Sequence, residues 1–269
     1  MDTQEKIIIY QVFTRLFGNN SLRCKPNGSL EENGCGKMAD FTTKALNEIR
    51  TLGATHIWYT GIIEHATQTN YTRYGIKPDH PAVVKGKAGS PYAIKDYYDV
   101  DPDLATSIPD RMKEFENLVT RSHKAGLKVI IDFVPNHVAR QYHSDAQPDG
   151  TTELGANDDS SQSFSPYNNF YYIPQSELHG QFDMKGSAAE PYKECPAKAT
   201  GNNRFDAYPN ITRIPCLQHI KRKFIDCGEK EPDAKRIVEL INALYQNEHK
   251  HKVGVEGWTV EQNLMHRKK

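Results

Sequence analysis

The chain has 269 residues, 37% of them hydrophobic and 25% charged, with 34 basic side chains balancing 34 acidic ones. That length fits one large α/β domain or two smaller domains. Zero net charge offers no electrostatic attraction for nucleic acid or an anionic membrane, and no apolar run approaches membrane-spanning length. Five cysteines (Cys24, Cys35, Cys195, Cys216, Cys227) show neither CxxC nor Cys/His zinc spacing, so free thiols are expected. Ile7-Ile8-Ile9 is too short for a signal-peptide core. The expected location is the cytoplasm, or outside the cell if an export signal has been removed.

Lys6–Phe13 reads as a first buried strand. A loop follows, with Asn27-Gly28 and Asn33-Gly34 as turn signals. Asp40 is placed to cap a helix over Phe41–Leu52, where Ala45, Leu46, Ile49 and Leu52 share helical spacing and Gly53 is the stop. Ala54–Thr60 is the second strand. Strand, helix, strand implies a parallel pair with a right-handed crossover. Gly61–Ser107 holds too many Gly, Pro and Asp residues for a regular element and reads as a long loop. Pro109 opens a strong helix with Met112, Phe115, Leu118, Val119 and His123 on one side, and Gly126 ends it.

Leu127 to Ile131 is apolar apart from Lys128 and rich in β-branched residues, as expected of a parallel strand buried on both faces. The strand runs on to Val134, and Pro135, which lacks an N–H, stops it. Asp132, Asn136 and His137 bunch around that end. In α/β barrels the active site lies at this edge of the sheet.

After His137 the pattern changes. Residues 140–210 are polar, with an aromatic patch over Tyr167–Ile173 and no clear helix, and read as a small irregular insertion. From about residue 211 the chain differs again. Asp233–Glu248 has the spacing of one amphipathic helix, and Val253-Gly-Val255 could start a short strand.

Four landmarks together resemble one family. They are Tyr10-Gln-Val-Phe-Thr-Arg15 in the first strand, Leu52-Gly-Ala-Thr-His-Ile-Trp-Tyr59 in the second, Tyr92-x-x-x-Asp96-Tyr97 in the loop, and Asp132-Phe-Val-Pro-Asn136-His137 after the third strand. In this order they are similar to the first three barrel strands of the α-amylase superfamily, glycoside hydrolase family 13. The resemblance implies a (β/α)8 TIM-barrel fold, incomplete here at about three to four βα units. It divides the chain into 1–134 (barrel), 135–210 (inserted domain B) and 211–269 (a divergent tail, read as foreign to the barrel or out of frame).

The resemblance also implies roles. His137 would hydrogen-bond the sugar in the cleavage subsite, Tyr92 would stack on it, and Asp132 would help hold the centre without doing the chemistry. Asn136 would ligate a structural calcium, with Asp206 as a second candidate ligand. The implied partner is an α-1,4-glucan or maltooligosaccharide, hydrolysed by double displacement. A retaining glycosidase needs two carboxylates about 5–5.5 Å apart. Asp206, in Arg204-Phe-Asp206, and Glu261, in Val253-Gly-Val-Glu-Gly-Trp-Thr-Val-Glu261, are the candidates for this role. The first follows Gly201-Asn202-Asn203 where a buried strand should run. The second has Thr259 where the family has an arginine. Three readings follow: an α-amylase-like hydrolase, a catalytically inactive glucan-binding or functionless fragment, and a glucanotransferase or other α-glucoside hydrolase of the same family. An unclosed barrel would also expose sheet edges to self-association.

Overall fold

The computed structural model describes residues 6–178 and 190–200, with two further helical positions, 239 and 242. Seven strands are present among the described residues: β1 (Ile9–Phe13), β2 (His56–Thr60), β3 (Ile63–His65), β4 (Ile94–Val100), β5 (Lys128–Ile131), β6 (Tyr171–Ile173) and β7 (Ala197–Ala199). The α-helices are α1 (Leu30–Asn33), α2 (Thr43–Thr51) and α3 (Arg111–Lys124).

β1, β2 and β5 form a parallel sheet in the order β1-β2-β5. Ile9 pairs with His56, and His56 in turn with Lys128. Helices α2 and α3 are the two crossovers, and this is an incomplete α/β barrel sheet; no closed barrel exists among the described residues. The core lies between the sheet and these helices. Phe41, Leu46, Ile57, Tyr59 and Leu118 are fully enclosed there. The Phe41 ring stacks on Phe17 at 4.1 Å and meets Tyr59 edge-on at 4.9 Å. The Ser122 hydroxyl donates to the Leu118 carbonyl at 2.8 Å, so its single proton is committed. Tyr59 Oη is therefore the donor in its 2.7 Å bond to Ser122.

The structure revises several sequence expectations. The cap of α2 is Thr42, whose Oγ1 accepts from the Ala45 N–H at 3.2 Å. Asp40 instead closes the preceding turn, accepting from the Lys37 N–H at 2.7 Å. On α3, Ser122 takes the enclosed position and His123 and Met112 are exposed. The 61–107 segment is no plain loop. Its Ile94–Val100 stretch is the longest strand described and pairs antiparallel with β3, with register irregularities on both sides of Glu64. The polar residues that argued against a strand here are buried on partners from other segments: Lys95 on Asp79, Asp96 on Ser144, and Asp99 on Arg111.

β5 is not buried on both faces. Leu127 is enclosed, but Ile131 is 38% exposed and Phe133 51%. Only β2 has a neighbour on each side, and Ile57 and Tyr59 within it are fully buried. Burial on both faces needs flanking strands and covering helices, and β1 and β5 are the outer strands of this sheet.

Beyond β5, residues 135–178 and 190–200 are mostly turns. Their regular element is the two-stranded antiparallel pair of β6 and β7, with Tyr172 opposite Lys198.

Candidate functional site at the carboxyl ends of the parallel strands

The parallel registers bring Phe13 level with Thr60, and Tyr59 level with Ile131. The residues that leave the sheet at this edge are Thr14, Gly61 and Asp132. Trp58 Nε1 donates to Asp132 Oδ1 at 2.8 Å and ties the ends of β2 and β5 together. Asp132 Oδ2 is buried with no hydrogen-bond partner.

The segment after β5 is held by β4. Tyr97 Oη donates to the Val134 carbonyl at 2.5 Å and lies 3.3 Å from that of His137. The Tyr97 ring sits 5.7 Å from Phe133 and 5.8 Å from Tyr142. Backbone bonds from Ala139 N to Ile94 O (2.7 Å) and from His143 N to Lys95 O (3.1 Å) continue this attachment. Asp96 completes it. Its Oδ1 accepts from Tyr98 N, and its Oδ2 accepts from Ser144 Oγ (2.7 Å), Asp145 N (3.0 Å) and Ala146 N (3.2 Å). Asp132 and His137 thus stand on a rigid edge, His137 half-buried and Asn136 exposed. Tyr92 stands two residues before β4 and is 46% exposed. Asp206 and Glu261 lie outside the described residues.

Sequence reasoning missed a buried acidic network. Asp99, Asp101 and Asp103 are each at most 5% exposed. Asp103 pairs with Arg15 and accepts from Tyr71 Oη at 2.6 Å. Asp101 meets His65 Nδ1 at 2.7 Å. Burial alone would pull the His65 imidazole down, but the Asp101 charge outweighs it and holds His65 above its ordinary value. Lys95 pairs with Asp79 at 3.0 Å. Of Asp99, Asp101 and Asp103, only Asp99 lies in β4; Asp101 caps the short turn that follows and Asp103 lies within it, so no strand period reveals the group. A cleft of about 570 Å³, lined among others by Arg15, Asn19, Arg23, Gln68 and Lys87, lies in a different region. None of Tyr92, Asp132, Asn136 or His137 lines it.

Residues 11–192, about two thirds of the chain, match the family model for the alpha amylase catalytic domain. Residues 200–269 match that of the transposase IS66 family. Among curated relatives, a cyclomaltodextrin glucanotransferase from Bacillus licheniformis is 29% identical over 51% of this chain and 18% of its own length. The trehalose-6-phosphate hydrolase of Bacillus subtilis (strain 168) is 24% identical over 65% of this chain and 23% of its own. An amino acid transporter heavy chain, SLC3A1, from Mus musculus is 31% identical over 50% and 14%. The chain thus spans about a fifth of the length of these relatives. A solved α-amylase from Lactobacillus plantarum is 29% identical over 50% of this chain and 24% of its own, with a TM-score of 0.34. No helix among the described residues is long and apolar enough to cross a membrane. On the match over residues 11–192, the chain belongs to the alpha-amylase catalytic-domain family.

Proposed function

We propose that this chain supplies the glucan-contacting edge of an α-amylase-type site, with Tyr92 and His137 as the sugar contacts on an edge held by Asp132, and that the chain alone binds α-1,4-linked glucans without cleaving them. The observation that carries this reading is Asp132. It sits at the carboxyl end of β5, anchored by Trp58 through one oxygen and holding the other unanswered. Asp132 serves there to hold the edge, while the half-buried His137 and the exposed Tyr92 meet the sugar.

Hydrolysis by double displacement needs a nucleophile and an acid/base about 5–5.5 Å apart and open to the sugar. Glu64 and Asp99 have carboxylates that close, but they are 1% and 5% exposed and out of reach of a substrate. Their burial favours binding over turnover for this chain. Hydrolase and glucanotransferase names among the relatives leave the reaction of a complete site open between those two. The match of residues 200–269 to another family supports reading the tail as a segment of separate origin, joined to the amylase part near residue 200.

The structural calcium that the family resemblance implies at Asn136 is not part of this proposal. Asn136 is exposed and offers one amide oxygen, whereas calcium takes six to eight. The acidic cluster found among the described residues, Glu64, Asp99 and Asp145, does not include Asn136. The apolar exposure of the outer strands, Ile9 at 47% and Ile131 at 38%, supports self-association through the sheet edges.

The test is affinity electrophoresis in soluble starch alongside reducing-sugar release, with wild type and His137→Ala. Retardation of the wild type, lost in the variant and without sugar release, is the expected result. Release that His137→Ala abolishes would establish a complete site and overturn the binding-only reading. A folded wild type that starch does not retard would remove the glucan assignment altogether.

A further inference from the structure

Glu64, Asp99 and Asp145 come together from three separate segments: β3, β4 and the loop after β5. One carboxylate oxygen from each lies within 4.8 Å of the other two. Two of the three are deep, Glu64 at 1% and Asp99 at 5% exposed, whereas Asp145 is an exposed residue whose side chain turns inward and keeps 15% exposure. Asp145 does not drift into place. Its backbone N–H donates to Asp96 Oδ2 at 3.0 Å, flanked by the bonds from Ser144 Oγ and Ala146 N, so its position is set by a buried anchor.

The charges do not balance. Arg111 serves both aspartates, through Nε to Asp99 Oδ2 at 2.8 Å and through a terminal nitrogen to Asp145 Oδ2 at 3.3 Å. The nearby Lys95 ammonium is engaged by Asp79 and by the Lys77 carbonyl. Three carboxylates therefore share one guanidinium. Independently of that count, Glu64 Oε2 is enclosed and has no hydrogen-bond partner. A buried carboxylate oxygen without a donor is costly unless a proton or a cation answers it.

We propose that Glu64, Asp99 and Asp145 bind a divalent cation of calcium size, which clamps the loop after β5 onto the β3–β4 hairpin. The three oxygens lie within 4.8 Å of one another, a span that calcium bridges with its 2.3–2.6 Å bonds, and ligands drawn from three separate segments suit calcium's flexible geometry better than magnesium's near-ideal octahedron at 2.0–2.1 Å. Carboxylate oxygens are the hard ligands calcium takes, and the part-exposed Asp145 gives the ion a path and water its remaining positions. Arg111, bonded to both aspartates, limits net charge. The site is separate from Asn136 and does not depend on the glucan assignment.

The test is calorimetric titration of the EDTA-treated, dialysed full chain with calcium chloride, in wild type, Glu64→Gln, Asp145→Asn and Asn136→Ala. Glu64→Gln keeps size and removes charge, and the part-exposed Asp145→Asn covers the case in which the buried variant fails to fold. The expected result is calcium binding weakened at least tenfold in both Glu64→Gln and Asp145→Asn and unchanged in Asn136→Ala, with magnesium at least tenfold weaker than calcium in wild type. Calcium binding unchanged in a folded Asp145→Asn, or absent from the folded wild type, overturns the site. Magnesium binding as tightly as calcium overturns the size assignment.

Discussion

Trp58 and Asp132 are joined by a 2.8 Å hydrogen bond that crosses from β2 to β5 at the carboxyl edge of the sheet. This is the one donor answering Asp132 Oδ1, and Oδ2 has none. Trp58→Phe keeps an aromatic ring and leaves the whole carboxylate unanswered. Removing one partner of a buried pair costs about 1–3 kcal/mol. Urea unfolding of Trp58→Phe should therefore show a midpoint shift of that size, and the double variant with Asp132→Asn should recover part of it. Equal losses in the single and double variants would mean that the bond contributes nothing to stability.

Asp96 makes a sharper case, because both its oxygens are used. Asp96→Asn replaces one oxygen by an NH₂ group, and in either orientation a donor then faces a donor among Tyr98 N, Ser144 Oγ, Asp145 N and Ala146 N. The expected loss is at least about 2 kcal/mol, concentrated in the loop after β5. Native-state proteolysis followed by peptide mapping should show new cleavage within residues 140–150. A variant as resistant as wild type would place the loop's anchorage elsewhere.

How much of the molecule is legible in its sequence depends on range. β2, β5 and the two crossover helices are readable because Ile57, Val129 and Ile130, or Leu46 and Ile49, carry their period in a short window. Asp132, Asn136 and His137 are readable because they are neighbours in sequence. The exposure of Ile131 is not, because it depends on which strands flank β5. Glu64, Asp99 and Asp145 are invisible for a related reason: nothing in any one segment says that the other two are 4.8 Å away. The Ile94–Val100 strand is hidden because its acids and Lys95 are polar by type yet buried by pairing.

Cysteine chemistry gives a further check. Burial, reinforced by Asp103 and Asp101 against the opposing Arg15, raises the Cys35 thiol from an ordinary 9.0 to about 11. Its thiol also donates to the Gly36 carbonyl at 3.2 Å. Cys24 and Cys195 are exposed. At pH 8 a thiol of pKa about 11 is ionised roughly a hundredfold less than one of pKa 9, and the thiolate is the reactive form. Iodoacetamide at pH 8 should label the exposed Cys24 and Cys195 clearly faster than Cys35, as read by mass spectrometry of peptides. Comparable rates for Cys24 and Cys35 would show that the segment around Cys35 opens readily.

The alkaline limit of stability should depend on Tyr59. Its phenol is fully enclosed and donates to Ser122, and burial pushes it up to about 12. An unfolded tyrosine ionises near pH 10. Between these values the folded state holds a proton that the unfolded state has released, so stability falls as pH rises from about 10 to about 12. Holding that proton across the window costs about 2–3 kcal/mol of stability, and nothing is lost below it. Tyr59→Phe has no proton to hold. It should start less stable at pH 8, because the bond to Ser122 is gone, and should then lose about 2–3 kcal/mol less than wild type on going to pH 12. Other buried tyrosines contribute equally to both proteins, so the difference between the two urea-midpoint curves isolates this hydroxyl. Parallel curves from pH 8 to 12 would mean that the Tyr59 hydroxyl reaches solvent and that the core between β2 and α3 is looser than its packing implies.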